Sequence, residues 1–93
     1  MKQFSTEPLT SPCTVKVHTN YDVLDAKAEK LGYQNHGNDS RFCGWMKVDN
    51  PTSQMKEANE KLAEAQRTHK KAVIALCMTG YFSVGYTIYT KDA

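Results

Sequence analysis

The stretch from Asn50 to Gly80 limits what this chain can fold into more than any other, because a long amphipathic pattern there runs into an apolar segment. Asn50-Pro51 is typical of a helix start, since Asn caps free amides and Pro loses no hydrogen bond at the first helical position. Apolar residues and one histidine then recur at steps of three and four, which places them on one helical face. They are Met55, Ala58, Leu62, Ala65, His69, Ala72, Val73 and Leu76.

Residues 73–78 have two interpretations. Their Ala, Leu and Met favour helix, and they continue the three- and four-residue spacing of the preceding apolar residues. This predicts one helix over about 51–78 that ends at Thr79-Gly80. Alternatively, the basic residues from Arg67 to Lys71 match the negative end of a helix dipole, and the helix ends near Ala72. The apolar run is then a buried strand that turns at Thr79-Gly80 into a hairpin. We expect the single helix, and a buried segment in either case.

A shorter helix begins at Thr19-Asn20 and ends at Gly32, a residue that favours the positive φ of a helix C-terminus. Tyr33 can then fold back against Ala28. Alternating or β-branched and aromatic segments predict the strands. These are Cys13–His18, Arg41–Val48 and Tyr81–Thr90, with a polar loop over Gln34–Ser40.

The predicted order is β-α-β-α-β, which indicates an α+β fold. Two helices and three strands with one apolar face each make a two-layer sandwich. We therefore expect a three-stranded sheet with both helices on one face and the other face open. Residues 1–12 contain two prolines and no periodicity, so we expect a flexible N-terminal arm before a single domain over residues 13–93.

The composition argues against several classes of function. A net charge of +2 on 93 residues is too small to indicate a nucleic-acid or membrane partner. No apolar run approaches the ~20 residues of a membrane span. The three cysteines are widely spaced and odd in number, which is typical of reduced thiols in a cytoplasmic protein.

The sequence contains no pattern for catalysis or for a cofactor. Cysteines and histidines lack the close spacing of a structural zinc site, and no glycine-rich elbow or phosphate-cradling loop is present. We therefore expect neither an enzyme nor a metal or cofactor site.

Two surfaces are candidate binding sites. On the open sheet face, aromatic residues would serve as hot spots beside basic ones, and a homodimer interface is the alternative use of that face. Its members are Trp45, Lys47, Tyr81, Tyr89, Lys16 and His18. The second surface is the basic flank of the long helix at Arg67, Lys70 and Lys71, which suits phosphates or an acidic protein surface.

These surfaces predict a small non-catalytic protein-binding module, such as an inhibitor or adaptor of a cellular protein. In its general character the chain resembles accessory proteins of phages and mobile elements, which are compact and lack catalytic motifs. The alternative is a single-stranded nucleic-acid binder that uses the aromatic and basic sheet face. A third hypothesis is capture of a small nucleotide-like ligand.

Overall fold

The computed structural model of this protein describes residues 4–10, 15–35, 53–78 and 84–92. The described helices and strands form a small α+β domain, and the predicted order β-α-β-α-β is confirmed, with one more strand after it. They are β1 (Val17–His18), α1 (Tyr21–Lys30), β2 (Gln34–Asn35), α2 (Ser53–Thr68), β3 (Lys71–Met78) and β4 (Val84–Lys91). The predicted strand over Arg41–Val48 lies outside the described residues.

The described strands form a mixed sheet in the order β1-β3-β4-β2. The two long central strands, β3 and β4, are antiparallel over their full length, from Lys71 opposite Lys91 to Met78 opposite Val84. The short β1 runs parallel to β3, and the short β2 runs antiparallel to β4. Each of the short strands is therefore held at the edge of the sheet by one of the two central strands.

The predicted helix over 51–78 is wrong at its C-terminal end, because α2 ends at Thr68 and residues 71–78 form β3. The six residues from Ala72 to Cys77 are all buried, each at most 3% exposed. A helix covered on one side would bury only one stripe, whereas a strand between two layers is buried on both faces. The apolar run fits a strand of this kind, as the alternative interpretation had it.

The helices lie on opposite faces of the sheet, which corrects the prediction that both cover one face and leave the other open. Successive side chains of a strand point to opposite faces. Ile74 and Leu76 of β3 belong to the same buried cluster as Leu62 of α2. Val73 and Ala75 belong to a second cluster with α1. The result is three layers, with α1, the sheet and α2 in that order.

The ends of α1 are fixed by local hydrogen bonds. The Asn20 side chain caps the N-terminus by accepting a hydrogen bond from the Asp22 amide at 2.8 Å. At the C-terminus Gly32 has a φ of 87°, and the Tyr33 amide donates to the Ala28 carbonyl at 3.0 Å. This is the arrangement of a Schellman motif, so the predicted helix end at Gly32 is confirmed.

Residues 4–10, which belong to the predicted flexible arm, make specific contacts with the domain. Ser5 and Ile74 of β3 exchange backbone hydrogen bonds of 2.9 and 2.8 Å. The Asn59 side chain of α2 accepts from the Leu9 amide at 2.6 Å and donates to the Leu9 carbonyl at 3.0 Å. The Leu9 side chain is buried in the α2 cluster. This part of the arm is therefore docked on β3 and α2.

Candidate functional site

Basic residues of four elements, α1, α2, β3 and β4, lie at one end of the domain. Lys71 and Lys91 are directly opposite each other on β3 and β4. The C-termini of both helices lie at the same end, since α2 leads directly into β3 and the Lys91 ammonium donates to the Leu31 carbonyl, just after α1, at 3.0 Å. We call this surface the basic end. Its residues are Lys30, Arg67, Lys70, Lys71 and Lys91.

The Lys71–Lys91 pair places like charges side by side, which usually costs between roughly 0.2 and 1 kcal/mol in an antiparallel sheet. Lys91 is drawn away from its neighbour, because its ammonium binds the Leu31 carbonyl and lies 5.6 Å from the centre of the Tyr33 ring. Lys71 stays exposed, and no ion pair joins it to a carboxylate within the described ranges. Lys71 is therefore available to an anionic partner.

An apolar side chain is exposed beside these charges. Leu31 is 54% exposed, and its carbonyl holds the Lys91 ammonium. Leu31 therefore adds apolar surface next to the Lys91 ammonium, and protein interfaces combine apolar contact area with charged groups at the rim.

One carboxylate at this end is already engaged. Asp92 lies 3.0 Å from Nδ1 of His69 and accepts a hydrogen bond from the Lys70 amide at 3.3 Å. The hydrogen bond with His69 holds the pKa of the Asp92 carboxyl below its usual value, with help from the Lys70 amide. Asp92 therefore fixes the segment between α2 and β3 and offsets part of the positive charge.

A cavity of about 300 Å³ lies next to the basic end, between α1 and the β2–β4 pair. It is lined by Asp25, Glu29, Tyr33, Gln34 and Tyr89, and we call it the acidic cavity. The Tyr89 hydroxyl donates a hydrogen bond to Asp25. Cationic and anionic side chains are thus neighbours on one side of the molecule.

The structure divides the predicted binding residues into separate groups. Lys16 is exposed but lies beside β1, which meets β3 at Leu76, five residues and about 17 Å along the strand from Lys71. Arg67, Lys70 and Lys71 are exposed. Trp45, Lys47 and Tyr81 lie outside the described residues.

His18 and Tyr89 were expected on an open sheet face, and this placement is wrong. His18 is 6% exposed and Tyr89 is 1% exposed, because α1 covers that face of the sheet. Tyr89 lines the acidic cavity, and its hydroxyl donates a hydrogen bond to Asp25. Neither ring is available for stacking against a ligand.

Sequence reasoning missed Lys91, Leu31 and the pair of Asp25 and Glu29. The four-residue spacing of the two carboxylates was visible in the sequence and places them on one side of α1. The approach of Lys91 to Lys71 was not visible, because it depends on the register of β3 and β4.

Comparison with known protein families, with curated proteins and with solved structures gives no match. In the part of the chain that the structure describes, no helix combines the length and hydropathy needed to cross a membrane. The described residues also contain no group of three or more His, Cys, Asp or Glu side chains placed to hold a metal ion.

Proposed function

We propose that this protein is a non-catalytic binding module whose basic end docks on an acidic surface of a partner protein. The observation that carries the proposal is the exposed Lys71, which is opposite Lys91 in the sheet, with the exposed Leu31 next to Lys91. Protein interfaces combine an apolar centre with a polar rim in this way. An inhibitor or adaptor acts by this kind of contact and needs no catalytic group.

The described aromatic residues favour a protein partner over single-stranded nucleic acid. A nucleic-acid binder of the predicted kind stacks bases on exposed rings. Tyr33, Tyr86 and Tyr89 are each at most 9% exposed, and Phe4 and Tyr21 are half-buried against the core, so none of the described rings is an open platform. An aliphatic side chain such as Leu31 has no π-face to stack on a base, but it fits an apolar depression on a protein.

The proposal predicts that each of two substitutions at the basic end weakens capture of the partner. Leu31→Ser removes the apolar centre and Lys71→Ala removes the unpaired cation, and we expect each to weaken binding at least about tenfold, as hot-spot residues do. The measurement is affinity capture from nuclease-treated lysate, followed by titration of the captured protein. Lys56→Ala is the matched control, because Lys56 is an exposed lysine near the other end of α2.

Two results would contradict the proposal. Retention that requires intact nucleic acid, with a steep decrease in affinity as salt rises, would identify a nucleic-acid binder. If Lys56→Ala weakens capture as much as Lys71→Ala does, the net charge determines binding and the basic end does not. Trp45→Ala in the same assay tests the predicted surface that lies outside the described residues.

A further inference from the structure

The edge of β3 and one side of α2 form a groove that holds residues 4–10. Ser5 and Ile74 pair as an isolated antiparallel bridge, on the same edge of β3 to which β1 is paired. The segment therefore adds to the sheet as a very short extra strand. Addition of an extended segment to a sheet edge is a common mode of peptide recognition. We call this site the α2–β3 groove.

Two carboxamides of α2 bind the backbone of the segment. Asn59 accepts from the Leu9 amide and donates to the Leu9 carbonyl, and Gln66 donates to the Thr6 carbonyl. Carbonyl groups occur at every residue and amides at every residue except proline, so these contacts recognise an extended chain rather than particular side chains. Leu9 supplies the specificity, because its side chain is 5% exposed and packs in the α2 cluster.

The segment holds part of its own shape and lies at the surface. The Ser5 hydroxyl donates to the Glu7 carbonyl at 3.0 Å and accepts from the Glu7 amide at 3.1 Å, which fixes the bend between these residues. A segment that is bent before it docks loses less entropy on docking. Thr6, Glu7 and Pro8 are exposed, so the segment covers the groove from outside and is not itself covered by another layer.

We propose that the α2–β3 groove also receives residues 4–10 of a second copy of this chain, so that two copies exchange their N-terminal segments. The second copy is the occupant that the contacts favour, because its segment has the same sequence as the one seated in the groove. Exchange fills each groove with the same hydrogen bonds and the same leucine, as in a symmetric domain-swapped dimer. The segment of the same chain competes at an effective concentration in roughly the millimolar range, so the closed monomer predominates in dilute protein.

The test is a mixture of two full-length variants, each defective in one half of the contact. Leu9→Asp removes the apolar anchor of the segment and leaves the groove intact. Asn59→Ala combined with Gln66→Ala weakens the groove and leaves the segment intact. Within the mixture, an intact segment meets an intact groove only between the two chains. We expect analytical ultracentrifugation to detect a species of twice the mass of one chain, formed at least about tenfold more tightly than by the wild type, because no intact segment competes from within the same chain.

Two controls establish that the segment causes the association. Each variant alone should sediment as a single chain at the same concentration. The matched control mixture carries Leu9→Asp in both chains, which leaves no intact segment, and it should also stay monomeric. If the charge in Leu9→Asp prevents folding, Ser5→Pro takes its place, because it removes the amide that donates to Ile74 and leaves the groove unchanged.

Three results would overturn the inference. In the first, the two variants are folded and do not associate when mixed. In the second, the control mixture without an intact segment associates equally well. In the third, both Leu9→Asp and Ser5→Pro unfold the protein, which would make the segment inseparable from the domain. The experiment uses no partner protein and leaves the basic end unchanged, so each of these failures would leave the proposed function standing.

Discussion

At the scale of the residue, the interior contains polar groups without hydrogen-bond partners. Nε2 of His18 and Oγ1 of Thr87 are buried and have no partner within the described part of the chain. An unsatisfied buried polar group costs about 1–3 kcal/mol. Burial also lowers the pKa of His18 from its ordinary 6.5, and the charges of Lys27 and Lys16 lower it further. The folded protein therefore favours the neutral imidazole.

This shift predicts a loss of stability in mild acid. Because the pKa of His18 is lower in the folded protein than in the unfolded chain, the unfolded chain binds more protons below pH 6.5. The contribution of His18 is fully present above that pH and is lost as the pH falls towards the folded pKa. His18→Leu removes the titrating group, so its urea midpoint should decrease less than that of the wild type between pH 7 and pH 5. Parallel decreases in the two proteins would contradict the prediction.

At the scale of the element, the sequence predicts structure that depends on neighbouring residues. It does not predict structure that depends on contacts between distant parts of the chain. The end of α1 depends on Gly32 and its immediate neighbours, and it lies where the sequence indicates. Whether residues 73–78 form a helix or a strand depends on pairing with β4 and on burial between two helices. Periodicity alone cannot separate a buried strand from a buried helix in so short a run.

The candidate site was also predictable only where its residues are close together in the sequence. Arg67, Lys70 and Lys71 were identified as a basic group because they are close in sequence. Tyr89 was assigned to an open face because the alternation in its strand does not say which layer covers each face. The alternation itself was right, since Tyr86 and Ile88 share one cluster and Tyr89 belongs to the other.

Gly32 provides a test at this scale. Its φ of 87° lies in the left-handed region, where a side chain costs about 1–2 kcal/mol. A Cβ would lie 3.3 Å from Cε of Lys91, which is the flexible end of a side chain, so backbone strain dominates the cost. We expect Gly32→Ala to lower the free energy of unfolding by about 1–2 kcal/mol. Gly32→Asn should cost less, because Asn tolerates this conformation better; equal losses in urea denaturation would argue against strain as the cause.

At the scale of the whole molecule, side chains of α2 connect the N-terminal segment to the core. Asn59 makes both of its hydrogen bonds to the backbone of Leu9, and Gln66 donates to the Thr6 carbonyl at 2.7 Å. These bonds continue the contact that begins where Ser5 pairs with Ile74 of β3. Residues 4–10 thus complete one end of the α2 cluster through Leu9.

Removal of this connection should release the segment and leave the domain folded. Asn59→Ala deletes two hydrogen bonds, each worth about 1 kcal/mol. We expect amide exchange at Ser5 and Leu9 to become at least about tenfold faster, measured by hydrogen–deuterium exchange, with little change at the amides of β4. Glu60→Ala is the control, because Glu60 is exposed and adjacent in sequence. Unchanged exchange at Leu9 in Asn59→Ala would show that Asn59 does not hold the segment.

The central position of β3 determines when the protein can fold during its synthesis. Both hydrophobic clusters contain side chains of this strand, and β1 and Ser5 also pair with it. Its main partner, β4, comes later still in the chain. A nascent chain that ends before Lys71 can therefore form its helices but cannot close either cluster around them. We expect the domain to fold only after β3 and β4 have left the ribosomal exit tunnel, and the amphipathic α2 to rely until then on chaperones that cover its apolar face.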